Sequence, residues 1–334
     1  MEKKKRLSNI VGLVLVFALY GVLAALMSGK VINRYYSGIL IMICINIILT
    51  VSLNLVSGFL GQLVLGHAGF MSVGAYSASL FTMYSGLPVA VSFPLGLIVG
   101  GLIAALFGIL IGVPALRLRG DYLAIITLGF GEIIRVLILA MPFTGGARGL
   151  SVTTVVTRQS WVYFTWVFFI AVLTVFVVYS FIHSRHGRAV LAIREDEIAA
   201  EASGINTTYY KLLAFVLSAF IAGIAGGLYA HYISVLNPAK FDFNYSTELL
   251  VMVVLGGMGS ITGSVISATV LTVLPELLRD FASYRMLLYS IILIIVMLFK
   301  PSGLMGEREF SLAGLFRFLR KKHGARAAVN GKVE

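Results

Sequence analysis

SWVYFTWVFFIAVLTVFVVYSFI, residues 160–182, is an unbroken apolar run; HSRHGRAVLAIREDEIAAEASGINTTYYK, residues 183–211, is a polar island carrying both charge signs; LLAFVLSAFIAGIAGGLYAHYISV, residues 212–235, is apolar again. A hydrocarbon core roughly 30 Å thick takes about 20 apolar residues per helix, which each flanking run supplies. The stretch therefore reads as two membrane helices joined by a long polar insert. A chain that only conducts a solute needs short loops, so an insert of this kind points to a docking surface for a soluble partner. A solvated connecting loop is the plain alternative.

The rest of the chain has the same character. Hydrophobic residues are 59% and charged residues 12%, with a mean hydropathy of +0.97, outside the range of a soluble domain. Hydropathy read against turn residues and charges sets spans near 10–28, 38–57, 61–84, 88–113, 122–141, 160–182, 212–235, 247–258, 262–278 and 285–300. The expected fold is all-α, a polytopic transmembrane helical bundle of about ten membrane segments, some of them short or broken at glycine. It forms a single transmembrane domain over 1–334, with the insert at 183–211 inside it and a basic tail at 301–334. Lys3, Lys4, Lys5 and Arg6 precede the first apolar run as in a signal peptide, but no A-x-A site follows, so this run reads as a retained helix.

An even number of crossings places both termini on one side, and the basic residues then divide unequally. One side holds the Lys3, Lys4, Lys5 and Arg6 cluster, Arg117, Arg119, Arg185, Arg188, Arg194, Lys211, Lys300, Arg308 and the tail bases Arg317, Arg320, Lys321, Lys322, Arg326 and Lys332. The other holds Lys30, Arg34, Arg148, Arg158, Lys240, Arg279 and Arg285. The positive-inside rule makes the first side, the insert and both termini cytoplasmic. The net charge of +12 is thus a topology signal and no sign of nucleic-acid binding; the tail is suited to anionic membrane lipid. Trp161, Trp166, Tyr35 and Tyr36 stand at span ends, where interfacial anchoring places aromatic rings.

Catalytic chemistry finds no support. Cys44 is the single cysteine and lies inside a span, so no disulfide or thiolate metal site forms within one chain. His67, His183, His186, His231 and His323 lack metal-ligand spacing, no phosphate-binding P-loop is present and no nucleophile triad can be assembled. The expectation is a transport protein, neither enzyme nor metal or cofactor carrier.

Within the insert, Glu195, Asp196, Glu197 and Glu201 crowd what reads as the first turns of a short helix, where the helix dipole favours acids. Gly204 is placed to end it in a left-handed residue, with Ile205 behind it, and Asn206 is placed to cap the next span. Ile198, Ala199, Ala200 and Ala202 leave a small-residue surface that a groove admits closely.

Other blocks carry polar groups at membrane depth. Gly58, Gly61, Gly66, Gly69 and Gly74 punctuate the early spans beside Asn54, Gln62 and His67, while Gly256, Gly257, Gly259 and Gly263 interrupt a late one. Broken helices expose backbone to solute, and two breaks in two halves suit an inverted repeat about Gly149; glycine kinks that serve packing alone are the other reading. His67 reads either as a hydrogen-bonded histidine between helices or as a cavity-facing one. Glu132 and Arg135, three apart on a predicted helix, share a face and can pair, as part of a pathway or as a structural clamp.

Four blocks resemble one family. GRAVLAIREDEIAAEASGINTTYYKLLAF (187–215) is similar to the cytoplasmic coupling region of branched-chain amino acid permeases of the ATP-binding cassette importer class. LNLVSGFLGQLVLGHAGFMSVGAYSASL (53–80), LRGDYLAIITLGFGEIIRV (118–136) and ELLVMVVLGGMGSITGSVISA (248–268) resemble its early, central and late hallmarks, in the expected order.

The resemblance implies a permease subunit in a bacterial or archaeal plasma membrane, assembled with a second homologous permease chain. It also implies two cytoplasmic ATP-binding cassette ATPases and an extracytoplasmic solute-binding protein. The ATPases would dock on a helix over 195–204, through Arg194, Glu195, Asp196, Glu197, Ala199, Ala200, Glu201 and Gly204. Asn54, Gln62, His67, Glu132 and Arg135 become translocation-pathway candidates, and Gly58, Gly61, Gly66, Gly256, Gly257 and Gly259 the helix breaks. The general docking pattern of such importers, EAA followed by glycine, is departed from: with its glycine on Gly204, Ile198 stands where the acid belongs and Glu197 one place earlier. Leucine, isoleucine, valine and related hydrophobic amino acids are the implied cargo. Permeases for urea and short amides resemble the same blocks, and an ion-coupled secondary carrier is the reading from a different class.

Overall fold

The computed structural model describes residues 2–29, 31–118, 120–152, 159–233, 235–279, 284–300 and 302–306. The basic tail expected at 301–334 lies outside the described residues except at 302–306, as do Lys30, Arg119 and Arg158. Twelve α-helices account for nearly all of the described chain: α1 (Glu2–Ser28), α2 (Arg34–Asn54), α3 (His67–Tyr84), α4 (Val89–Ala115), α5 (Asp121–Ala140), α6 (Ser160–His183), α7 (Arg185–Glu195), α8 (Glu197–Ala202), α9 (Thr207–Tyr232), α10 (Phe243–Gly256), α11 (Ile261–Leu277) and α12 (Arg285–Phe299). The only strands among the described residues are β1 (Leu150–Ser151) and β2 (Val235–Leu236), an antiparallel pair that ties two loops with Leu150 opposite Leu236.

Among the described residues, five segments are long and apolar enough to cross a membrane: Arg34–Phe59, Val89–Ala115, Asp121–Ala140, Ser160–His183 and Thr207–Tyr232. Val16–Ser28 and Ile261–Leu277 are shorter apolar helices. The full count of about ten therefore exceeds what helix length and apolarity establish. The largest departure is the span expected at 61–84. Gly61, at φ +74°, ends the preceding helical turn, residues 61–66 run without helix, and α3 starts only at His67. The late break behaves likewise: Gly257 and Gly259 take φ of +111° and +85°, conformations closed to most side chains, and separate α10 from α11.

The centre of the bundle is where α3, α4 and α9 cross, and glycine is what lets them. Gly74 of α3 faces the backbone of Gly223 in α9, Gly223 faces Gly100 and Ala104 of α4, and Gly100 returns to the Gly74 carbonyl, leaving no room for a Cβ at any corner. Lipid tails are as apolar as leucine, so membrane helices gain by close backbone approach and by polar contacts between helices. Ser218 Oγ of α9 donates to the Ser52 carbonyl at 2.6 Å, Thr82 Oγ1 lies 2.9 Å from His231 Nε2, and the Tyr163 hydroxyl donates to the Leu228 carbonyl.

Around this centre α2 and α9 are mostly enclosed, whereas α5 and α6 bury only a third of their apolar windows. Their outer faces carry Ile125, Ile133, Val136, Leu173 and Phe176, and α4 adds Leu102, Leu106 and Leu110, all exposed. An apolar belt of this extent is unfavourable in water and suited to hydrocarbon, in keeping with a multi-pass membrane protein.

Candidate functional site

The polar insert is ordered by its own caps. Ser184 Oγ accepts from His186 N and Gly187 N, both at 3.2 Å, and starts α7, which buries Val190 and Ile193 against the bundle. Asp196 then adopts an extended backbone (φ −157°, ψ 111°), and its Oδ1 accepts from Ile198 N at 2.9 Å and Ala199 N at 3.0 Å. The helix expected over 195–204 is therefore two pieces: Glu195 closes α7, Asp196 is the cap between, and α8 starts at Glu197. A side-chain oxygen that satisfies the orphan amides of a new first turn competes with continuing the old helix.

The end of α8 follows the expected stop. Ile205 N donates to Ala200 O at 3.1 Å and Gly204 N to Glu201 O at 2.9 Å, with Gly204 left-handed at φ +82°. Asn206 Oδ1 accepts from Tyr209 N at 3.0 Å and starts α9.

Side-chain direction divides the eight insert residues into two groups. Glu197 Oε2 lies 2.7 Å from Lys211 Nζ, whose side chain is 4% exposed, and Thr207 Oγ1 donates to Glu201 Oε1 at 2.6 Å. Ala200 is buried, which removes it from the small-residue surface it was expected to share. Arg194 is also turned toward the bundle. What α7 and α8 present outward is Glu195 (77% exposed), Ile198 (69%), Ala199, Ala202 and the Gly204 turn, with Asp196 and Glu201 exposed but engaged, Asp196 in its cap and Glu201 with Thr207. Sequence reasoning gives Lys211 only its sign; its signal is a lone lysine immediately before the apolar run that starts at Leu212.

The early and late glycine breaks meet. The last turn of α2 widens into a π-helical turn, Leu55–Phe59, in which Leu60 N reaches back to Leu55 O at 3.2 Å. Asn54, fully buried, donates through Nδ2 to Ser260 O at 2.9 Å and Ser264 Oγ at 2.8 Å, and accepts at Oδ1 from Gly259 N at 2.9 Å. A Cβ on Gly58 would run into that same Gly259 nitrogen. Arg194 lies across the junction: its Nη1 donates to Gly58 O at 3.2 Å, its Cγ packs where a Cβ on Gly61 would stand, and its Nη1 fills the space beside Gly259.

The early and central blocks meet as well. Leu65 N donates to Thr127 Oγ1 at 3.1 Å, Gly66 abuts the Thr127 carbonyl, and Gly69 abuts Gly131. His67 is buried at the start of α3, 2.8 Å from Ser52 Oγ through Nε2, so it sits between two helices as a hydrogen-bonded residue. Gln62 is half-buried in the non-helical link, its backbone N donating to Val56 O. Glu132 and Arg135 pair with each other, Nε donating to Oε2 at 2.7 Å, half-exposed on the outer side of α5. Gly256 packs on Gly263 at the α10–α11 corner, and Gly257 touches Gly306. The structure thus joins Arg194, Asn54, Gly58, Gly61 and Gly259 in one cluster, holds His67 and Gly66 in a neighbouring one, and keeps Glu132 with Arg135.

Residues 35–299 match the family model described as branched-chain amino acid transport system / permease component. The high-affinity branched-chain amino acid transport system permease protein LivM of Salmonella typhimurium is 39% identical over 304 residues, covering 82% of this chain and 71% of the relative. The protein of the same name in Escherichia coli is 39% identical over 291 residues, 78% of this chain and 68% of the relative. LivH of Salmonella typhimurium, a permease protein of the same transport system, is 34% identical over 158 residues, 47% of this chain and 50% of the relative. No solved structure matches. With the match spanning all four blocks and the glycine junction they build, the chain belongs to the branched-chain amino acid transport permease family.

Proposed function

We propose that the chain is the transmembrane permease subunit of an ATP-binding cassette importer, carrying branched-chain and related hydrophobic amino acids inward across a bacterial or archaeal plasma membrane. It acts beside a second, homologous permease chain, receives solute from an extracytoplasmic binding protein and does no chemistry of its own. Its about ten crossings place both termini and the polar insert in the cytoplasm, with the basic tail on anionic lipid. Hydrolysis belongs to two ATPases that dock on the outward face of α7 and α8.

The observation that carries the reading is that face. Ile198 stands exposed on a charged insert, while Glu197 beside it and Glu201 three residues on are tied to α9 through Lys211 and Thr207. A rigid polar helix with an apolar tip suits a groove in a soluble partner. Closure of the ATPases would move α8, and the pathway between the halves, near the junction of the two glycine breaks, would alternate its opening.

The test is co-purification of the ATPases with the chain, followed by competition for leucine uptake in vesicles. Isoleucine and valine are expected to compete strongly and urea not at all. Competition by urea and short amides in place of amino acids contradicts the cargo assignment; failure of any ATPase to bind contradicts the importer.

A further inference from the structure

Arg194 stands among the expected docking residues, yet its guanidinium is turned toward the bundle, and its Nε lies only 4.0 Å from the outward Glu195 carboxylate. Its guanidinium reaches the Gly58 carbonyl at 3.2 Å, inside the π-helical turn, and lies against Gly259, while its stem packs on Gly61. Those three glycines belong to both interrupted segments, which Asn54 already binds to each other through Gly259, Ser260 and Ser264. One planar cation thus touches the last turn of α7 at its root and both breaks at its tip. Arginine suits this position: it stays charged, it bonds carbonyls through a fixed fork, and its apolar stem fills the space glycine leaves. Single-turn π-helical widenings are themselves frequent at functional sites.

We propose that Arg194 is a positioning residue that makes the two glycine breaks move with α7 and α8, so that displacement of the insert by an ATPase reaches both halves of the pathway together. The proposal rests on the importer reading. Glu197 with Lys211 carries the same displacement to the base of α9, and Arg194 carries it past α9 to α2 and to the α10–α11 corner. The direction is set by geometry: α7 has buried Val190 and Ile193 to hold it to the bundle, and the Arg194 side chain is a polar link from its C-terminal end to the glycine junction.

The experiment uses the complete complex in lipid vesicles, with ATP and leucine as probes, and reads hydrogen exchange at residues 55–62 and 256–260. In the native chain, exchange at both segments changes with ATP at one shared midpoint; two different midpoints overturn the proposal without recourse to any variant. Arg194→Met keeps the stem against Gly61 and removes the donors. It is expected to retain the ATPases and the ATP response within α7 and α8 and to lose the response at both segments. Leucine moved per ATP hydrolysed is then expected to fall about tenfold, the factor that roughly 1.4 kcal/mol of a charge-assisted hydrogen bond commands. Arg194→Lys, which restores a cation without the fork, is expected to recover part of both. Release of the ATPases by Arg194→Met would make the residue a docking contact and overturn the proposal, as would an undiminished ATP response at the two segments. An absence of bound ATPase in the native complex is different: it removes the importer reading itself.

Discussion

Lys211 at the base of α9 and Glu197 at the start of α8 form a 2.7 Å ion pair from which solvent is almost excluded on the lysine side. Taking one partner away strands a buried charge, a change that costs about 3 kcal/mol or more, whereas replacing both with apolar groups is close to neutral. Lys211→Met alone is therefore expected to lower the melting temperature of the detergent-solubilised chain markedly, and the double variant Glu197→Leu, Lys211→Met to regain most of it. A single variant that melts like the native chain would show the pair to be solvated.

Asn54 has both amide donors and its acceptor engaged across the α2 to α11 junction. Asn54→Ala leaves Gly259 N without its acceptor in a site closed to water, so a loss of about 2 kcal/mol is expected. The measurement that separates this from general loosening is amide exchange at Gly259, which should rise in the variant ahead of exchange in α4 or α9.

The Ile198 side chain is exposed and takes no part in the bonds that hold α8, to which the residue contributes only its backbone N–H. Ile198→Asp is expected to leave the melting temperature of the isolated chain unchanged and to weaken ATPase binding by about 2 kcal/mol, roughly thirtyfold in Kd, as loss of a central apolar anchor does. Equal binding of the ATPases to the variant, in a titration by light scattering, would place the docking surface elsewhere.

At Gly204 the left-handed backbone, φ +82°, is what allows Ile205 N and Gly204 N to satisfy the last carbonyls of α8. Gly204→Ala is expected to cost about 1 kcal/mol and to fray α8, and Gly204→Asn to be better tolerated, since asparagine visits this region more readily. Circular dichroism is too coarse for six residues; proteolysis within 197–205 reads the fraying directly.

What was legible in the sequence is what local chemistry decides. Hydropathy located α6 and α9 around the insert, and cap chemistry located Gly204, Ile205 and Asn206 as the passage between α8 and α9, because those signals lie within a few residues of their effect. Asp196 hides for a physical reason: three acids in a row, with Glu201 a turn further on, suit a dipole, and only the backbone reveals that Asp196 is the cap that breaks the helix. The inward turn of Glu197 depends on Lys211, fourteen positions on, and the meeting of Asn54 with Gly259 spans 205 positions. No periodicity encodes either. The early span reads too long because Leu63, Val64 and Leu65 are apolar enough to pass for helix, while Gly61 and the link to Thr127 decide that they are not. The two glycine breaks were recognised as interruptions, but their contact, and the arginine lying across it, is tertiary.

Whether ATPases power this permease through α7 and α8 is read from the initial rate of leucine uptake into vesicles holding the complete complex. ATP is varied against an imposed proton or sodium gradient. The account predicts uptake that requires ATP, disappears when the ATPases are omitted and ignores the gradients. Leucine uptake driven by an ion gradient with neither ATP nor ATPase present would contradict it.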